Sequence, residues 1–162
     1  MSIDTKKYFN KGIFIDTNIL LLLYIGSYDT NLIETFKRTN KFTKKDYKIL
    51  TNFLSRFNKI ITTPNVLTEL DNFFNQLSSP IKEKVRLKLK EHIEVINENY
   101  IKSIDVTNSN KFLGFGLTDI GILNAIRDKY ILLTEDFPLS NYANSIKIDA
   151  INFNHLRNYL YN

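Results

Sequence analysis

The apolar residues of this chain come in short, unbroken runs. GIFID (12–16) and YILLT (130–134) are rich in strand formers and do not alternate with polar residues. A strand with one face in water alternates, whereas a strand apolar on both faces has to be covered on both. Stretches with helical spacing separate these runs. The pattern predicts an α/β domain: an α/β/α sandwich around a central parallel sheet of four or five strands.

The reading along the chain is as follows. A strand at 12–16 leads into a helix over about 18–25, with Asp16, Thr17 and Asn18 all good N-cap types. A polar stretch precedes a helix over 44–59, where Tyr47, Leu50, Leu54 and Phe57 recur at helical spacing. IITT (60–63) is a second strand, and Pro64 suits the first turn of a helix over 64–77. A long helix over 80–101 places Val85, Leu89, His92 and Ile96 on one face. Residues 102–116 fit no single element. Thr118 caps a helix running to about 128, and YILLT follows as the clearest strand. A short helix near 138–143 and a strand at 146–149 complete the pattern.

With 162 residues, 43% of them hydrophobic, the chain fits one domain over 1–162 with a sizeable core. It has no Cys, which excludes disulfides and thiolate zinc sites and is compatible with a reducing cytoplasm, the expected location. No apolar run approaches the roughly 18 residues of a membrane span, so no membrane partner is expected. The net charge of +5 suits a nucleic-acid partner. The abundance of Lys, Asn, Ile and Tyr, common in proteins encoded by AT-rich genomes, accounts for that charge as well.

Four acids stand where acids are costly. Asp16 ends an apolar strand and opens an apolar helix, and an ionised carboxylate is rarely buried without a partner. Asp136 sits just beyond the carboxyl end of the 130–134 strand. If the two strands are neighbours, both acids reach the rim where ligands bind in open α/β sheets. Asp119 shares a helix face with Ile122, Leu123 and Ile126, the apolar side, away from Asn124 and Asp128. Glu69 lies roughly 90° from the centre of the stripe formed by Val66, Leu70, Phe73 and Leu77, at the border of the core. Taken singly, Asp16 and Asp136 serve equally as N-caps, Asp119 as a complement to a helix dipole, and Glu69 as a solvated residue. Taken together, four such acids need a shared counter-charge. A divalent cation held by carboxylates and water supplies one. The chemistry that follows is metal-assisted phosphodiester hydrolysis with one or two Mg²⁺ or Mn²⁺ ions.

The segments FIDTNILL, TPNVLTELDNF, GLTDIGILNAI and ILLTEDFPLSNYA, in that order, resemble the PIN-domain nucleases, a family that includes the toxin ribonucleases of bacterial toxin–antitoxin pairs. The resemblance spans about 12–149. It implies that Asp16, Glu69, Asp119 and Asp136 form the acidic quartet that is both catalytic and metal-binding. Thr17, Asn18 and Thr134 match its supporting polar residues. It also implies Mg²⁺ or Mn²⁺ as cofactor and cleavage of RNA more than DNA. A homodimer and an antitoxin protein are the partners known for such proteins. The stretch between Asp16 and Glu69 is longer than in compact toxin members, and the 80–101 helix is long as well.

Two basic runs stand out. Lys37, Arg38, Lys41, Lys44, Lys45 and Lys48 form one, interrupted by Phe42 and Tyr47; Lys82, Lys84, Arg86, Lys88 and Lys90 form the other. Each reads either as a solvated face or as a rim that holds a phosphate backbone. The first is the better candidate, because it follows the helix that begins at the acids. His92 reads as a packed histidine, and His155 has no assigned role. Three other functions compete. A haloacid-dehalogenase-type phosphatase wants an Asp where Asn18 stands. A receiver domain wants an acid pair ahead of its acceptor. A PIN-like module that binds nucleic acid without cutting it would keep the acids but not the turnover.

Overall fold

In a computed structural model, which describes residues 4–127 and 129–161, five parallel strands form one sheet. They are β1 (Ile13–Ile15), β2 (Ile60–Thr62), β3 (Asn97–Glu98), β4 (Ile131–Thr134) and β5 (Ala150–Asn152), in the spatial order β3-β2-β1-β4-β5. Every pairing is parallel, with Ile13 opposite both Ile60 and Ile131. The chain winds outward from β1 to β3, then crosses back to β4 and winds outward the other way. Right-handed crossovers therefore put the two sets of connecting helices on opposite faces. The strand order reverses between β1 and β4, and ligand sites of open α/β sheets lie at the carboxyl ends of such a pair.

The helix α1 (Thr17–Tyr28) explains the long apolar run that follows Asp16. Ile19, Leu20, Leu21, Leu22, Tyr24 and Ile25 are all buried, so the helix is apolar all round rather than amphipathic. Its outer side is covered by α3 (Lys44–Leu54), α4 (Pro64–Phe74) and α5 (Ser79–Ile93). The approach of α3 is close enough that a Cβ on Gly26 would fall 2.2 Å from the Tyr47 ring. His92 donates to or accepts from the Tyr24 hydroxyl at 3.2 Å, the packed role expected of it. On the other side lie α6 (Ser103–Thr107), α7 (Phe112–Ile126) and α8 (Phe137–Ser145). The buried apolar side chains form one continuous cluster. Among the described residues, no helix is long and apolar enough to cross a membrane.

Several elements differ from the sequence reading. The helix predicted over 80–101 ends at Ile93, and Asn97–Glu98 pairs with β2 as a strand. The last strand lies at Ala150–Asn152 instead of 146–149, because Ile146 and Lys147 close the end of α8 and Lys147 takes a positive φ of 64°. The helices from 44 and 64 stop at Leu54 and Phe74, short of 59 and 77. Residues 102–116 hold α6 and the first part of α7, which is interrupted at Gly116 (φ 78°, ψ −172°), a conformation that favours glycine. The helix end read at about 128 lies outside the described residues, as do Asp128 and the chain's first three residues and last one.

A terminal helix, α9 (Phe153–Tyr161), docks on α3 through Asp46, which is 1% exposed. Asp46 closes a capping box with Thr43 and accepts hydrogen bonds from Arg157 (3.2 Å) and the Tyr161 hydroxyl (2.8 Å). Asp46→Ala removes half of the capping box and takes one acceptor each from Arg157 and the Tyr161 hydroxyl, which keep the Lys41 carbonyl and the Thr43 hydroxyl. It is expected to cost about 2 kcal/mol, a fall in Tm of roughly 4–8 °C, read by thermal melting. Asp46→Asn, which can still cap and accept, is expected to lose less.

Candidate active site at the sheet rim

Asp16 is the hinge between sheet and helix. Its backbone N–H donates to Leu133 of β4 at 3.0 Å, and its extended φ/ψ of −65°/155° makes it the N-cap of α1. One carboxylate oxygen accepts from the Thr17 N–H (2.6 Å) and the other from the Thr134 hydroxyl (2.6 Å). Thr134, the last residue of β4, also accepts from the Asp136 N–H at 3.0 Å. The neighbouring ends of β1 and β4 are thereby joined through side chains as well as through the ladder. Asp16 is 7% exposed, and its carboxyl is pushed up to about 6. Burial is the main cause; the bonds from Thr134 and Thr17 oppose it, and the charges of Glu135 and Asp136 add to it.

Glu69 projects from α4 toward the same place. Its two carboxylate oxygens accept hydrogen bonds from the hydroxyls of Thr17 (2.9 Å) and Thr118 (2.5 Å). Three elements are pinned by this one side chain: the start of α1, the middle of α4, and α7 just past its interruption. Thr118 was expected as a helix cap; its hydroxyl is instead a donor to Glu69. Asp136 is the N-cap of α8 and accepts from the Leu139 N–H at 2.7 Å, the capping role considered for it.

Asp119 sits in the first turn after Gly116, half-buried, with no hydrogen-bond or ion-pair partner among the described residues. Its carboxyl is pushed up to about 7. Burial contributes most, followed by the charges of Asp16, Asp136 and Glu69. Asp16, Glu69 and Asp136 therefore all lie within electrostatic reach of Asp119, near the strand-order reversal. They do not form a closed cage: among the described residues, no group of three or more acids or histidines is arranged to hold one ion in common. The reason is visible in the bonds, since both Glu69 oxygens face threonine hydroxyls and one Asp136 oxygen is turned to its own helix.

A fifth acid, Glu135, belongs to the rim and was not singled out in the sequence. Its side chain is 9% exposed and paired with Lys41. The signal was the adjacency of Glu135 and Asp136, but nothing local says which of two neighbouring acids turns inward. Lys41 also lines a depression of about 390 Å³ with Asn18, Lys37, Arg38 and Gln76. The first basic run thus divides. Lys37, Arg38 and Lys41 gather at this depression, which Asn18 links to the head of α1, whereas Lys44 reaches Asn31 and Lys45 lies 3.9 Å over the Tyr161 ring. In the second run, Arg86 is committed to a two-pronged bond with Asp71 (2.7 and 2.8 Å) that ties α5 to α4. No protein-family model matches the chain, and no curated protein matches it either.

Proposed function

We infer that this protein is a metal-dependent nuclease of the PIN type, hydrolysing phosphodiester bonds in RNA in preference to DNA. The observation that carries the reading is the unpartnered Asp119, whose proton affinity is raised by burial and by three other carboxylates of the rim. Four mutually repelling acids at a ligand edge are a cost in stability that a bound cation would repay.

The donor set fits Mg²⁺ or Mn²⁺. All of it is carboxylate oxygen, the choice of hard cations, and Mg²⁺ is commonly held by one or two carboxylates with water completing its shell. Asp16 and Asp119 would be the direct ligands, with Glu69 and Asp136 acting directly or through waters. A bound ion of this kind lowers the pKa of its water and offsets charge on phosphoryl oxygens. The chain's own residues do the rest. Thr134 and the Thr17 N–H fix the Asp16 carboxylate in one orientation. Thr17 and Thr118 fix Glu69. Half-buried Asn18 stands between the acids and the basic depression, where its amide can meet a phosphate oxygen.

The test is cleavage of labelled structured RNA, single-stranded RNA and single-stranded DNA in Mg²⁺, Mn²⁺ and chelator. Cutting that needs metal supports the reading, and the preferred strand names the substrate class. No cutting of any strand with either metal overturns it in favour of a module that binds without turnover.

A further inference from the structure

The segment joining α2 (Leu32–Thr35) to α3 is built as a rigid platform. Phe36, Thr39 and Phe42 are buried at intervals of three, while Lys37, Arg38, Asn40 and Lys41 between them are exposed. The Thr39 hydroxyl donates to the Ile33 carbonyl at 2.8 Å. Phe42 packs edge-on against Phe153, ring centroids 5.9 Å apart. The Lys41 carbonyl accepts from Arg157 at 3.3 Å. Three cations are thus carried on a backbone held at both ends and line one depression together with Asn18, two residues past Asp16.

Each cation is placed differently. Arg38 is already oriented: its Nε donates to Gln76 at 3.2 Å and its guanidinium lies 4.4 Å over the Phe73 ring. A guanidinium backed by an aromatic ring offers its outer face for stacking and its remaining N–H groups for a phosphate. Lys37 has no hydrogen-bond or ion-pair partner among the described residues. Lys41 alone is engaged by the rim, through Glu135.

We propose that Lys37, Arg38 and Lys41 form the landing shelf for a single-stranded polynucleotide, which passes from the depression over Asn18 to the acids, and that Lys41 leaves Glu135 for the strand's phosphate when the strand lands. The proposal rests on the nuclease reading for where the strand is delivered. A single strand is favoured because a stacking face beside two cations suits an unpaired base on its own backbone, whereas duplex recognition hides the base faces. The α5 lysines Lys82, Lys84, Lys88 and Lys90 are not part of the shelf.

The experiment is fluorescence anisotropy in chelator, where nothing is cut, with a labelled random-sequence 20-mer RNA, single-stranded and as a duplex, over a salt series. The variant K37Q/R38Q changes exposed side chains only. It is expected to bind the single strand about tenfold more weakly, with a salt slope smaller by about 1.4 for two lost phosphate contacts. Adding K41Q weakens binding further. The α5 variant K82Q/K84Q/K88Q/K90Q stays within twofold of wild type. Unchanged binding by K37Q/R38Q, a larger loss in the α5 variant, a preference for the duplex, or no binding by the wild type overturns the shelf. Parallel cleavage in Mn²⁺ separates the two ideas. A wild type that binds through the shelf and never cuts keeps the shelf and loses the nuclease; one that cuts equally well without the shelf does the reverse.

Discussion

Asp16→Asn is expected to slow metal-dependent cleavage about a thousandfold, equivalent to ~4 kcal/mol of transition-state stabilisation, while leaving the protein folded. The substitution is nearly isosteric, and Asn is as good an N-cap as Asp, so the bond from the Thr17 N–H survives. With the amide oxygen on that N–H, the amide nitrogen faces Thr134, whose hydroxyl changes from donor to acceptor. What goes is the negative charge at the hinge of β1 and α1. Single-turnover cleavage of labelled RNA in Mn²⁺ reads the loss, and a melt of the same sample confirms the fold. A variant that cuts within threefold of wild type would remove Asp16 from the chemistry and leave it as a cap.

Asp119→Asn acts in the opposite direction on stability. In chelator at pH 8, wild-type Asp119 is ionised among carboxylates, without a partner. Its carboxyl sits at about 7 in the fold against 3.8 for the ordinary group. At face value that difference is worth about 4 kcal/mol; solvent reaching a half-buried carboxyl reduces it to about 2 kcal/mol. The variant is therefore expected to melt roughly 4–8 °C higher than wild type without metal, and to lose the stabilisation that Mn²⁺ gives wild type. The pH dependence has a definite sign. An acid whose folded pKa is raised favours the fold below its unfolded value, and loses that contribution as pH rises through the folded one. Stability of the metal-free wild type should fall between about pH 4 and 7, to which Asp16, pushed up to about 6, also contributes. The variant's profile should be flatter over the same range. A lower Tm for the variant in chelator would mean that Asp119 is a structural residue and that the acids do not strain one another.

The parts of the fold that were legible in the sequence are those buried on both sides. β1 and β4 stand out because nothing polar interrupts them; their adjacency was only a condition for bringing Asp16 and Asp136 to one rim, and the sheet order supplies it. β3 was invisible: Asn97 and Glu98 are exposed, polar and two residues long, and they follow a helix without a break in pattern. The final strand was displaced because the apolar Ile146 and Ile148 belong to the turn before it. Within the site, the four acids were legible by where they should not be. Thr118 and Glu135 were not, since their roles depend on partners 49 and 94 residues away in Glu69 and Lys41. Asp46 is the same case. It looks like a surface acid opening a helix, and only the docking of a segment 111 residues later buries it.

The enclosure of α1 has a consequence in time. Amides of a helix covered on every side exchange with solvent deuterium only when the whole domain opens. Asp16, held at the head of that helix, keeps its place for as long as the core lasts. Asp119 follows the break at Gly116: before the break Leu113 is 97% exposed, and beyond it Ile120, Ile122, Leu123 and Ile126 are buried. The acid site thus spans the enclosed head of α1 and the turn of α7 that borders an exposed segment. An ion bridging Asp16 and Asp119 would join them, and the slow exchange of α1 would extend into α7.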